Sequence, residues 1–250
     1  MLKTQREQLI LSFIKQNGGF ADVKTLCNKF FTSESSIRRD LARMESMGLI
    51  KRSYGGAKLN DNYSTIINFN ERFNQCSYEK TLIAKKAVKL INDNSIIFLD
   101  QSTSSFFLAK ELPNKPSITV VTNNVEILRL LSNTSINVIC SGGQLFKDNR
   151  NCLIGVDAEQ IFSNTYADFL FFSCKSLSSD GIISDCSREE VALRNTMLKN
   201  SKQKVFLCDS SKFDSRSPYT QCTLCDIDYL ITDQSANQTS FSFNAKINIL

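Results

Sequence analysis

Residues 35–41 read SSIRRDL. Two serines and then two adjacent arginines are set into a helical pattern, and the reading of that helix decides the N-terminal fold. Indexed at about 100° per residue from Ile37, Leu41 falls at roughly 40° and Met44 at roughly 340°, so these three form one buried stripe. Ser35, Arg39 and Ala42 lie opposite, Ser36 and Arg43 on one flank and Arg38 on the other. Ser33 is placed to cap the first turn through its side-chain oxygen. Hydroxyls and free N–H groups in such a turn suit phosphates. Arginine near the start of a helix suits guanine edges in a major groove, where a bidentate pair is worth ~1–3 kcal/mol of discrimination. Seven residues alone fit a solvated helix face better, with Glu34 and Asp40 as partners.

The surroundings favour the nucleic-acid reading. Residues 4–16 (TQREQLILSFIKQ) predict a helix with Leu9, Ile10, Phe13 and Ile14 on one face, stopped by Gly18-Gly19. Residues 22–30 predict a second helix, with Asp22 as N-cap and Val23, Leu26, Cys27 and Phe30 on one face. The third runs from about Ser33 to Met47. LIKRSYGGAKL follows, with Gly55-Gly56 as the turn between two short strands. Three helices and a small hairpin outline a winged helix-turn-helix. Charge agrees: residues 1–58 hold eleven Lys/Arg against five Asp/Glu, and residues 59–250 hold nineteen against twenty. The whole excess of the +5 chain sits in the first segment, as expected of a nucleic-acid module joined to a neutral domain.

Residues 59–80 are Asn-rich and aperiodic and read as a linker. From residue 81 onward, short apolar runs (SIIFLD, SITVVT, INVIC, DFLFFS, KVFLCD, DYLITD) alternate with helical patterns. That alternation predicts an α/β domain with a mostly parallel sheet over 81–250. No apolar run reaches the ~20 residues of a membrane span, and MLKTQREQLI lacks the form of a signal peptide, so a cytoplasmic protein is expected. The 250 residues include no histidine, which removes Ser-His-Asp and Cys-His catalysis and imidazole metal sites. Nine scattered cysteines argue against a disulfide framework, and the lone CxxC, Cys222–Cys225, faces no second one. No cofactor or metal is expected.

TSESSIRRDLARMESMGLIKRSYGGAKL resembles the helix-turn-helix signature of the DeoR-type bacterial transcriptional regulators. It matches at Ser33, Ile37, Arg38, Arg39, Asp40, Leu41, Gly48, Leu49, Arg52, Gly55, Gly56 and Ala57. The likeness continues through FNERFNQCSYEKTLIAKKAVKLI, IFLDQSTSSFFLAKEL, VVTNN, SGGQL, CDSSKF and YLITD. It implies a Rossmann-like sensor related to ribose-5-phosphate isomerases, which binds a phosphorylated sugar and thereby alters operator affinity. The expected DNA-binding residues are Thr32, Ser33, Ser35, Ser36, Arg38, Arg39, Arg43, Lys51, Arg52, Gly55 and Gly56. A homodimer or homotetramer is expected, because one module buries little surface.

The effector residues come from loops after strands, where open parallel sheets bind ligands. They are Asp100, Ser102, Thr103, Ser104 and Ser105, then Thr122, Asn123 and Asn124, then Gly142 and Gly143, and finally Lys212 as a positive charge. The family pattern D-x-G-T-T is here Asp100-Gln101-Ser102-Thr103-Ser104, with serine where glycine is usual, and serine also stands at 173 and 176. The expected function is a repressor of a sugar uptake or catabolism operon. The alternatives are a sugar-phosphate isomerase using Asp185, Glu189 or Glu190, although the helix REEVALRNTM reads as amphipathic with these residues solvated, and a thiol or metal sensor through Cys222 and Cys225.

Overall fold

The computed structural model describes residues 3–46, 50–59, 69–233 and 248–250. The chain divides into two compact units, Met1–Thr65 and Ile66–Leu250.

The first unit contains α1 (Lys3–Gln16), β1 (Phe20–Asp22), α2 (Val23–Phe30), α3 (Glu34–Ser46), β2 (Ile50–Ser53) and β3 (Gly56–Leu59). Its core gathers Ile10, Ile14, Leu26, Ile37, Leu41, Met44, Ile50 and Ala57. The α3 stripe is as expected, whereas Leu9 is half exposed and leaves the α1 face to Ile10, Leu11 and Ile14. Asp22 caps α2, its Oδ1 accepting from Thr25 N at 2.8 Å. The hairpin gains a third strand, in the order β1-β3-β2. Crossed ion pairs clamp α1 to α3: Arg6 Nε meets the buried Asp40 at 2.7 Å, and Arg43 pairs with Glu7. Asp40 therefore holds the bundle together and is no wet-face partner. Met47, Gly48 and Leu49 lie outside the described residues.

The second unit opens with α4 (Phe69–Asn74) and α5 (Ser77–Ala87). It continues with β4 (Ile96–Leu99), α6 (Thr103–Glu111), β5 (Thr119–Thr122), α7 (Val125–Leu131) and β6 (Asn137–Cys140). A hairpin of β7 (Gln144–Leu145) and β8 (Leu153–Ile154) leads to α8 (Val156–Ser163) and β9 (Ala167–Phe172). Then come β10 (Ser176–Leu177), β11 (Ile182–Asp185), α9 (Arg188–Lys199), β12 (Ser201–Leu207), β13 (Tyr219–Thr223), β14 (Tyr229–Ile231) and β15 (Asn248–Ile249). Seven strands form one sheet in the order β15-β14-β12-β9-β4-β5-β6, every neighbouring pair parallel. Alternate residues of each strand feed opposite faces. Ile97, Leu99, Phe169, Phe171 and Val205 pack beneath α5, α6 and α7. Phe98, Leu170, Phe172 and Phe206 pack against α8 and α9. β10, β11 and β13 form a small antiparallel sheet beside α9.

Helix α4 corrects the linker reading. Phe69 is buried in the core and Phe73 stacks on Phe107 at 5.2 Å between centroids. Two rings at i and i+4 carry this helix onto α6, and the surrounding asparagines conceal that spacing. Residues 60–68 of the expected linker lie outside the described residues.

Candidate effector site and DNA-binding face

The chain runs β4-β5-β6 in one direction and then β9-β12-β14-β15 in the other, so the strand order reverses between β4 and β9. A crevice at the carboxyl ends of such strands is where open α/β sheets take ligands. Asp100 follows β4 at this point and is fully buried. Its Oδ1 accepts from Ser105 Oγ (2.6 Å) and Ser102 N (3.1 Å). Its Oδ2 accepts from Ser173 N and Arg194 Nε, both at 3.1 Å. With every lone-pair direction used, Asp100 is a keystone of the loop and leaves nothing for a ligand, contrary to its expected role. Ser105 is spent likewise, on Asp100 and on Phe171 O at 3.2 Å.

Ser102 resolves the departure from the glycine pattern. Its φ of −74° is ordinary, and its hydroxyl caps α6 by accepting from Ser105 N at 3.1 Å. Glycine's freedom is not needed in this loop. Thr122 Oγ1 donates to Leu99 O at 2.8 Å, and Asn124 Oδ1 caps α7 through Glu126 N and Ile127 N. Both serve the scaffold. Gly142 and Gly143 adopt φ of +68° and +94° in the exposed turn after β6. A Cβ on Gly143 would stand 2.6 Å from Ile154 O of β8 and 2.8 Å from Ala158 Cβ of α8, so this glycine lets the turn close on both, and it is a packing residue.

Three buried polar atoms at this edge have no hydrogen-bond partner among the described residues: Asn123 Oδ1, Ser104 Oγ and Asp209 Oδ2, the last of which has only the Lys212 ammonium beside it. Asn123 is aimed by its amide, which donates to Leu153 O (3.1 Å), Gln101 Oε1 (3.3 Å) and Cys152 Sγ (3.3 Å). Thr103 lies beside Ser104 and is nearly buried. Lys212 Nζ reaches the same edge, 2.6 Å from Ser173 Oγ and 3.2 Å from Asp209 Oδ2. Burial alone would push its ammonium down, but Asp209 beside it lifts it above the usual lysine range. The expected residues thus sort into a scaffold (Asp100, Ser102, Ser105, Thr122, Asn124, Gly142, Gly143) and an unsatisfied set (Ser104, Asn123, with Lys212 nearby).

A buried ion network behind the edge is absent from the sequence reading. Arg194, fully enclosed, meets Asp100, Asp185 (3.2 Å), and Gln221 Oε1 (2.7 Å), with Glu190 at 4.0 Å. Glu190 accepts from Gln101 Nε2 and Asn149 Nδ2, each at 2.9 Å. Burial opposes the charge on Arg194, yet Cys174, Asp185, Asp100 and Glu190 around it outweigh burial and raise its pKa. Glu190 and Arg194 are therefore interior rather than solvated. The visible signal is their spacing, which puts them on one stripe with Leu193 and Met197. Of the carboxylates offered for isomerisation, Asp185 and Glu190 are neutralised by this network.

On α3, Arg38 donates to Glu34 Oε1 through Nε (2.9 Å) and Nη2 (2.6 Å). Arg39 lies back along the helix, with Nε 3.3 Å from Ser35 O and Nη2 3.4 Å from Ser36 Oγ. Ser33, Ser35 and Ser36 join hydroxyls in the first turn at 3.0 to 3.2 Å. Thr32 Oγ1 donates to Phe30 O at 2.9 Å. In the hairpin Lys51, Arg52 and Gly55 are exposed, and Arg52 Nε lies 2.5 Å from Glu45 Oε2. Gly56 departs from its expected place on the DNA face. It is buried in β3, where a Cβ would stand 2.5 Å from Ala21 O, and so the sheet needs it. Arg43 is turned toward Glu7 of α1.

The nine thiols are unbridged, and among the described residues no cluster of three metal-binding side chains occurs. Burial, and then Asp226, pushes the Cys222 thiol up to about 12, while Cys225 is exposed. Such a thiol is a poor thiolate. Among the described residues no helix is long and apolar enough to cross a membrane.

The DeoR-like helix-turn-helix domain model matches residues 6–63 and the DeoR C-terminal sensor domain model residues 75–234. The HTH-type transcriptional regulator GolR of Listeria innocua is 32% identical over 96% of this chain and 94% of its own. The HTH-type transcriptional repressor GlcR of Bacillus subtilis is 32% identical over 95% and 91%. The L-fucose operon activator of Haemophilus influenzae is 31% identical over 92% of each. These relatives are regulators rather than enzymes. A ribose 5-phosphate isomerase from Methanocaldococcus jannaschii aligns over 56% of this chain and 55% of its own, at 17% identity and a TM-score of 0.42. The chain belongs to the DeoR family of DNA-binding transcriptional regulators.

Proposed function

We propose that the chain represses a sugar uptake or catabolism operon, and that a phosphorylated sugar bound at the carboxyl ends of β4, β5 and β9 changes its grip on the operator. The observation that carries the effector site is the pair of buried, unpartnered atoms Asn123 Oδ1 and Ser104 Oγ at the switch point. Buried polar atoms are nearly always paired, and an orphan costs about 1–3 kcal/mol, so a hydroxyl-rich ligand has partners waiting there. Lys212 supplies positive charge at the same edge. One relative is named a transcriptional repressor and another an L-fucose operon activator, and the second supports a sugar-linked role.

On the DNA side, Thr32, Ser33, Ser35, Ser36, Arg38 and Arg39 face the major groove from the start of α3, while Lys51, Arg52 and Gly55 approach the backbone from the wing. Two or four chains bind repeated half-sites. Arg43 and Gly56 act behind this face, through Glu7 and Ala21. The test is a thermal-shift screen of the full chain against sugar phosphates, followed by operator binding with and without each hit. A ligand that raises the melting temperature, lowers operator affinity, and loses both effects in Asn123→Ala supports the reading. Full retention of both effects in that variant overturns the site.

A further inference from the structure

Phe31 is the first residue of the turn between α2 and α3, and its side chain is 96% exposed. A single exposed ring is ordinary on a protein surface. Its backbone is not: φ and ψ are both +49°, in the left-handed region. Among the described residues three other non-glycine positions have positive φ, Cys76, Asn94 and Asp214. Asparagine and aspartate enter that region readily, and Phe31 is the bulkiest of the four. The conformation belongs to the helix stop. Phe31 N donates to Cys27 O, and Thr32 N donates to the same carbonyl at 3.2 Å, which ends α2 and turns the chain toward Ser33. Glycine or asparagine fills such a cap at lower cost, and a ring held in solvent makes little apolar contact back onto its helix. The side chain therefore brings strain to the folded unit and next to no packing.

Strained residues concentrate where a function holds them. Phe31 stands two residues before Ser33, whose carbonyl accepts from Ser36 N and Ile37 N at 3.0 Å and so starts α3. Two residues span at most about 7 Å, which keeps Phe31 beside the first turn of that helix. The same turn carries the hydroxyls of Ser33, Ser35 and Ser36, with the Arg39 guanidinium lying back over it. The unit also holds the whole positive excess of the chain. A surface of this charge fits a nucleic-acid duplex. A duplex offers apolar groups as well as phosphates: thymine methyls in the major groove, which phenylalanine can contact, and the C–H edges of deoxyribose along its rim. We infer that Phe31 is a DNA-contacting residue whose ring packs on these apolar groups beside the start of α3. The inference rests on α3 being the recognition helix. The strain is present in the free protein, whereas the burial of the ring arises only in the complex. Stability and operator affinity therefore respond to this side chain with opposite signs. The contact carries no charge, so it leaves the salt dependence of binding unchanged.

The experiment uses the full chain, with Phe31→Asn, Phe31→Leu and Phe31→Tyr, and Arg39→Ala as the control for the recognition helix. Two probes are used: a duplex that the parent chain selects from a random-sequence pool, and the same duplex with uracil in place of every thymine. Hydrogen exchange of residues 23–30 reads the stability of α2, and fluorescence anisotropy across a salt series reads affinity. Relief of the left-handed strain should slow exchange about fivefold in Phe31→Asn. The same variant should bind the selected duplex about tenfold more weakly, with an unchanged slope of log affinity against log salt. Phe31→Leu should fall in between and Phe31→Tyr close to the parent. If the gap between parent and Phe31→Asn closes on the uracil duplex, the ring sits on thymine methyls; if it persists there, the ring sits on deoxyribose. Parental affinity in Phe31→Asn, with weaker binding in Arg39→Ala, overturns the proposal and leaves the recognition helix standing. Parental affinity in Arg39→Ala removes both. Weaker binding in Phe31→Asn that comes with faster exchange marks a structural role, and a changed sedimentation coefficient of the free chain marks a contact between copies; either overturns the proposal. If Phe31→Asn does not fold, Phe31→Leu decides, and parental affinity there overturns it.

Discussion

Arg194 Nε lies 3.1 Å from Asp100 Oδ2, and both side chains are enclosed where the strand order reverses. Asp185 and Glu190 converge on the same guanidinium. Removing it leaves three acidic groups facing one another in the interior. Arg194→Met should destabilise the sensor by about 3–5 kcal/mol, the usual consequence of stripping one partner from a buried ion cluster. Adding Asp100→Asn should recover part of that loss. Urea denaturation followed by circular dichroism measures both, and a single-variant effect within the noise would show the network to be inert.

The parallel sheet was legible because runs such as Ile96–Leu99 and Phe169–Phe172 are too short and too apolar for anything but buried strands. The α3 stripe was legible because Ile37, Leu41 and Met44 keep helical spacing. What escaped the sequence lacks a period or hides inside one. β7, β8 and β10 have two residues each and show no alternation. Glu190 and Arg194 look like a wet helix face until their shared stripe with Leu193 and Met197 is noticed. Phe69 and Phe73 hide in an asparagine-rich run that reads as linker. At the effector edge spacing points to the loops, but the division between keystone residues such as Asp100 and unsatisfied ones such as Asn123 depends on who accepts from whom, which spacing does not encode.

Gly142 and Gly143 share a left-handed backbone and differ in surroundings. A Cβ on Gly142 meets open space, whereas on Gly143 it stands 2.6 Å from Ile154 O and 2.8 Å from Ala158 Cβ. Gly142→Ala should cost about 1 kcal/mol through backbone strain alone. Gly143→Ala should add a packing clash, for a total of about 2–4 kcal/mol. Thermal melts of the two variants check the order, and equal losses would refute the close approach of this turn to α8.

The two arginines of α3 are held differently. Arg38 is tied to the Glu34 carboxylate, while Arg39 rests on long neutral contacts to Ser35 and Ser36. DNA must displace a carboxylate to recruit Arg38 but little to recruit Arg39. Arg39→Ala should therefore weaken operator binding more than Arg38→Ala. Glu34→Gln should strengthen it by releasing Arg38 and removing an acidic group from the DNA side. Fluorescence anisotropy on an operator fragment across a salt series measures all three. The slope of log affinity against log salt should fall by about one per lost phosphate contact. An arginine that also relaxes sequence preference is the one that meets a base. If Glu34→Gln binds more weakly, that carboxylate positions Arg38 for DNA rather than competing with it.

Lys80 makes stability depend on alkaline pH. Its folded value of about 8 lies below the ordinary 10.5, chiefly because burial disfavours the ammonium, with Lys212 adding to the effect. The unfolded chain then binds more protons than the folded chain across that interval, so stability rises with pH there. The penalty of burying the charge is fully present below pH 8 and fades as pH approaches 10.5. Lys80→Met has no such group. The stability of the parent minus that of Lys80→Met should therefore move in favour of the parent between those pH values and stay flat below them. The loss of the Lys80 bonds to Arg72 O and Gln75 O offsets the whole curve without tilting it, since a neutral amine still donates. Urea titrations of both proteins in matched buffers supply the difference curve. A curve with no upward tilt above pH 8 would show that Lys80 keeps its ordinary proton affinity in the folded sensor.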